Sequence, residues 1–177
     1  MFEWTLTYLI ISEGYIKIFN HDTSGGLFAS YADVGNKNSE DPDSKLFSIL
    51  DQLETYRNKE GKFQFKLCYP DLTWGRDGKT CNEWIQSSNP YTDTTITGFE
   101  EIFLAFDIDG YVGEWKGLGK NSANNDGHAY IDDSPSQFNW ATAIGARNDW
   151  ENFPGNIPGP KHPTDSAVSK VELYVMV

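Results

Sequence analysis

The run Phe63-Gln64-Phe65-Lys66-Leu67-Cys68-Tyr69 alternates at every step, and this constrains the fold more than any other feature of the chain. Successive side chains of a strand point to opposite faces. Phe63, Phe65, Leu67 and Tyr69 therefore share one face, and Gln64, Lys66 and Cys68 share the other, as in a half-buried antiparallel strand. Cys68 and Cys81 then bracket Trp74-Gly75-Arg76-Asp77-Gly78, whose Asp-Gly step signals a tight turn. That arrangement predicts a disulfide across a hairpin, with two free buried thiols as the alternative. Neither cysteine has the Cys-x-x-Cys spacing of a redox or zinc site.

Residues 171–177 repeat the alternation at the C-terminal end, and 4–10, 15–19, 94–99 and 102–106 are further candidate strands. One helix is predicted over 42–59, where Leu46, Leu50 and Leu53 follow i, i+4, i+7 and Phe47, Ile49 and Tyr56 widen the stripe. Asp41 and Pro42 suit its start, while Arg57, Lys59 and Gly61 suit its end. The segment 110–163 is rich in Gly, Asn, Asp and Pro, which predicts long loops and the place to seek a site.

The chain has 177 residues and neither an internal repeat nor a linker, so it reads as a single globular domain over 1–177. Aromatic residues make up 15%, with 6 Trp, 9 Tyr and 11 Phe, and must supply much of the core. The predicted architecture is mainly β, an antiparallel β-sandwich or jelly-roll-like domain with one helix across it and its N-terminal strand near its C-terminal strand. An α+β lectin-type fold is the alternative.

A net charge of −12 would repel phosphate backbones and anionic headgroups, so nucleic acid is not an expected partner. The same excess favours cations such as calcium. No apolar run approaches the roughly 20 residues that cross a bilayer, and neither a secretion signal nor an Asn-x-Ser/Thr acceptor is read, so membrane insertion is not expected.

The strings over 19–28, 63–70, 82–90 and 157–160, with 171–175, resemble a module of marine-invertebrate extracellular proteins. More distantly, Trp4-Thr5-Leu6 is similar to the opening of fibrinogen-related and intelectin-type lectin domains, although the chain lacks their multiple disulfides and a copy of their calcium loop. The resemblance implies an extracellular setting and a recognition role.

Asp107-Ile108-Asp109-Gly110 with Glu114 gathers carboxylates near a glycine turn, the ingredients of an oxygen-rich calcium site, though without EF-hand spacing. The alternative is an ordinary Asp-Gly turn. Trp115 beside Glu114, Asn125 and Asp126, and Trp140 further on, are the candidate ligand-binding residues, because sugars stack CH groups on indole rings while acids and amides pair with their hydroxyls. The alternative for each Trp is a cap on the core beneath a loop. His21, His128 and His162 are scattered, and no metalloprotease, nucleophile-elbow or phosphate-loop pattern occurs, so no catalytic residue is assigned. The expectation is an extracellular recognition domain that binds a glycan with calcium support. A glycoside hydrolase, and a matrix or adhesion protein that binds extracellular protein, are the alternatives. The oligomeric state is not read from the sequence.

Overall fold

The computed structural model describes residues 11–12, 14–106, 115–120, 129–131, 144–146, 156–160 and 167–177. Within them the strands are β1 (Ile11–Ser12), β2 (Tyr15–Asp22), β3 (Asn36–Lys37), β4 (Leu46–Ile49), β5 (Phe63–Cys68), β6 (Cys81–Gln86) and β7 (Glu100–Phe103). They continue with β8 (Leu118–Lys120), β9 (Ala129–Ile131), β10 (Ile144–Gly145), β11 (Ile157–Pro158), β12 (Ala167–Val168) and β13 (Lys170–Met176). Seven strands form one antiparallel sheet in the order β3-β4-β2-β13-β5-β6-β7, and β1 pairs with β2. Two small sheets, β10-β9-β8 and β11-β12, contribute Leu118, Ile131, Ile144, Ile157 and Val168 to the same apolar core. The fold is mainly β, as the alternating runs predict.

The last strand sits in the middle of the sheet. Leu173 of β13 faces Phe19 of β2 on one side and Leu67 of β5 on the other, so the C-terminal strand lies between the second and the fifth. Phe63, Phe65 and Leu67 are fully buried while Gln64 and Lys66 are not, which is the predicted division of faces. On the opposite face Lys17 and Lys170 pair with Glu172 at 3.2 and 2.9 Å, and Lys66 pairs with Glu83 at 3.3 Å. Burial alone would raise the Glu172 carboxyl, but hydrogen bonds from Lys170 and Tyr174 and the nearby Lys17 hold it below the usual range. These pairings let a charged face pack closely.

The helix expected over 42–59 is replaced by β4 followed by a 3-10 helix, Leu50–Tyr56. Leu46 to Ile49 pair on both sides, with β2 and with β3, and Phe47, Ser48 and Ile49 are all buried, so no alternation marks them as a strand. Asp41 serves a turn instead of a helix start: its side chain accepts from Asp43 N–H and its carbonyl from Ser44 N–H. Leu50 and Leu53 do point into the core, and Arg57 ends the 3-10 helix by binding Glu54 and the carbonyls of Gly61 and Ser87. The strand expected over 94–99 is a connection, broken by the positive φ of Gly98, and pairing begins only at Glu100. Within 110–163, expected as loops, lie β8 to β11. The candidate strand over 4–10 lies outside the described residues.

Cys68 and Cys81 are opposite one another in the β5–β6 ladder and are joined, with Cα atoms 4.1 Å apart. Asp77 and Gly78 turn the hairpin with φ of 59° and 68°. Closing a loop of this length stabilises the fold by about 3 kcal/mol in the chain-entropy model. Reduction should raise the intact mass by about 2 Da and lower the denaturant midpoint accordingly; an unchanged mass on reduction would contradict the bond.

His21 lies in the core beside Phe19 and Phe28, fully buried, with Nε2–H donating to the Gly26 carbonyl at 3.2 Å and Nδ1 without a partner. Burial lowers its pKa from 6.5 to about 4 against the smaller upward pull of the Gly26 hydrogen bond and Asp22. Above pH 6.5 the ring is neutral in both states and stability does not depend on it. As pH falls from 6.5 to about 4 the unfolded chain takes the proton first, so about 3 kcal/mol of stability is lost across that window and no more below it. Urea melts of the wild type and His21→Gln should diverge by that amount between pH 7 and pH 4. Parallel pH profiles would show that this ring is not the group being titrated.

Candidate functional site

β6 carries polar side chains into the core. Asn82, Trp84 and Gln86 occupy its inward positions and are each fully buried. A buried amide needs partners for both ends, and Asn82 and Gln86 each find them on the backbone of a segment distant in sequence. Asn82 Nδ2 donates to the Phe106 carbonyl at 3.0 Å, and its Oδ1 accepts from the N–H groups of Ala105 at 2.8 Å and Phe106 at 3.0 Å. Gln86 treats Leu118 the same way, donating to its carbonyl at 2.9 Å and accepting its N–H at 3.1 Å, while Oε1 also takes Trp84 Nε1–H at 2.7 Å. The two amides thus pin the chain just before and just after the segment 107–114.

Trp115 completes this arrangement by packing edge-to-face on Trp84, with centroids 5.4 Å apart. Gly117 makes the approach feasible: its φ is +101°, and a Cβ there would stand 2.8 Å from Gln86 Oε1 and 3.2 Å from Trp84 Nε1.

A cavity of about 380 Å³ opens beside these segments, within the roughly 300–1,000 Å³ range of small-ligand sites. Phe99, Phe106 and Trp115 give it aromatic walls, and Leu104 and Ala105 add aliphatic surface. Arg76 and Glu101 are the charged residues among its described lining. Arg76 comes from the Asp-Gly hairpin. Its N–H donates to the Ala105 carbonyl at 3.0 Å, and Gly75 before it has a φ of +154° with the Lys79 carbonyl where a Cβ would go. Arg76 Nη2 and Glu101 Oε1 are 3.8 Å apart, with side chains 53% and 49% exposed, so both keep unused hydrogen-bonding capacity toward solvent. The guanidinium also lies over the Phe103 ring, 4.6 Å from its centroid.

The structure therefore places one predicted site residue, Trp115, in a cavity wall. Its ring is only 1% exposed, so it is part of the core and not a platform on the surface. Among the described residues its Nε1–H has no hydrogen-bond partner, which is uncommon for a buried indole. Glu114, Asn125, Asp126 and Trp140, and the calcium candidates Asp107, Asp109 and Glu114, lie outside the described residues. Among the described residues no three His, Cys, Asp or Glu side chains come together as a metal site. Comparison with known proteins finds no matching family model, curated protein or solved structure.

Arg76, Phe99 and Glu101 were not foreseeable as a group, because the sheet brings them together from a hairpin turn, a connection and an edge strand. Asn82 and Gln86 did leave a signal. In Cys81-Asn82-Glu83-Trp84-Ile85-Gln86, amides flank a Trp at two-residue spacing, which is a strand whose inward positions are polar. Chemically, the described lining offers aromatic surface, one cation and one carboxylate. That set suits holding a small molecule with an apolar face and a polar rim.

Proposed function

We propose that this chain is an extracellular recognition module that holds a saccharide in the cavity bounded by Trp115, Phe99 and Phe106. The observation that carries the reading is the pairing of three aromatic walls with Arg76 and Glu101 at one opening. Sugar rings present CH groups on one side and hydroxyls at the edge, which match aromatic faces and charged hydrogen-bonding groups respectively. The disulfide agrees with an oxidising compartment, and the resemblance to extracellular modules points the same way. In this reading the small sheets form the second layer of a sandwich-like domain, and any calcium would be held by Asp107, Asp109 and Glu114. Hydrolysis of a glycoside calls for two carboxylates, whereas Glu101 is the single one among the described cavity residues.

A glycan panel screened with and without calcium tests the proposal. Binding of a soluble saccharide is expected, and Glu101→Gln, at a half-exposed site, should weaken it about tenfold with the melting temperature nearly unchanged. Turnover of soluble glycosides would instead identify an enzyme. Concentration-dependent self-association with no glycan bound would identify an adhesion protein.

A further inference from the structure

Resting on the saccharide reading, we propose that the cavity selects an acidic saccharide, a uronic acid whose carboxylate docks on Arg76. The first observation is where the positive charge lies. The chain carries a net charge of −12, yet Arg76 and Lys79 both approach the Phe103 ring beside the cavity, at 4.6 and 4.2 Å from its centroid. An anionic ligand approaching an acidic protein is repelled nearly everywhere, so a local pair of cations is the condition for its capture.

The second observation is that Arg76 is not consumed by its own partner. Its carboxylate contact among the described residues, Glu101, stands 3.8 Å away with both side chains about half exposed, a separation too long for a close hydrogen bond. Guanidinium is a planar fork with five N–H donors and matches a second carboxylate two-pronged. Stacking on Phe103 holds that fork at the opening.

The third observation is that Trp115, 1% exposed, closes the wall of the same cavity beside Phe106 and so leaves an apolar surface against which a ring can pack. A hexuronic acid meets these demands together: ring CH groups lie on Phe99 and Phe106, the ring packs against the wall that Trp115 closes, and the carboxylate engages Arg76. A hydroxyl of the sugar then donates to Glu101. A neutral hexose meets the first two demands and leaves the Arg76 fork without its anion.

The test uses calorimetry on the whole protein with three uronate trisaccharides, built from galacturonic, glucuronic and mannuronic acid, and the methyl ester of each. Esterification keeps the skeleton and removes the charge. At least one acid should bind roughly tenfold to a hundredfold more tightly than its ester, and Arg76→Gln should abolish that preference, weakening the acid far more than the ester, with the melting temperature close to wild type. Raising salt should weaken the acid and not the ester. If acids and esters bind alike and Arg76→Gln changes neither, the inference is overturned while the saccharide reading stands. If no saccharide binds, acidic or neutral, both fall.

Discussion

Asn82→Ala should destabilise the protein by about 3–5 kcal/mol, because truncation leaves two N–H groups and one carbonyl without partners inside the core, each costing about 1–3 kcal/mol before relaxation. The side chain is fully buried, so water does not replace the lost bonds in the folded state. Its three partners belong to Ala105 and Phe106, which also line the cavity. Loss of saccharide binding should therefore accompany the loss of stability. Asn82→Asp separates the parts: it keeps the acceptor for both N–H groups but removes the donor to the Phe106 carbonyl and brings a charge into the core. Denaturant titration of both variants decides the matter. A cost below about 1 kcal/mol for Asn82→Ala would mean that the 104–106 segment does not depend on this amide.

Trp84→Ala should cost about 3–5 kcal/mol through a different mechanism, the cavity left by a large ring. Trp84 is fully buried, packs against Phe65 at 5.6 Å and Trp115 at 5.4 Å between centroids, and donates to Gln86. Trp84→Phe keeps most of the volume and leaves Gln86 Oε1 with its bond from Leu118, so the cost should fall to about 1–2 kcal/mol. Equal costs for the two substitutions would show that the hydrogen bond, and not packing, is what the ring supplies. The Ala variant should also loosen Trp115 and weaken ligand binding, which links the core of the sheet to the wall of the cavity.

What could be read from the sequence follows from which faces of each strand are buried. Phe63 to Tyr69 and the residues of β13 alternate because one face meets the core and the other carries Lys66, Glu172 and Tyr174. The cysteine pair was legible because the Asp77-Gly78 turn fixes which residues end up opposite. Leu46 to Ile49 misled because a strand flanked by two others, with Phe47, Ser48 and Ile49 in succession buried, reads like the apolar stripe of a helix. Thr94 to Phe99 misled because β-propensity reports fit to a pleated surface, and here no partner strand receives them.

The site divided in the same way. Trp115 was read as a ligand-facing ring; its burial follows from Trp84 arriving from β6, far away in sequence, and accords with the alternative of a cap on the core. Arg76 belongs to the Asp-Gly turn, Phe99 ends one candidate strand and Glu101 falls between two, and nothing local records that they meet. Three-dimensional proximity is the one property of a site that spacing along the chain does not encode.

The most direct test of the cavity as a binding site is nuclear magnetic resonance of the indole N–H groups during saccharide titration. The chain has six Trp residues, and Trp115→Phe assigns the resonance of interest. Among the described residues Trp115 Nε1–H has no partner, whereas Trp84 Nε1–H is already bonded to Gln86. The Trp115 resonance should shift in step with ligand occupancy, because the ligand packs against the wall to which this ring belongs, while that of Trp84 stays nearly fixed. A saccharide that binds and shifts other indoles while the Trp115 resonance does not move would contradict it.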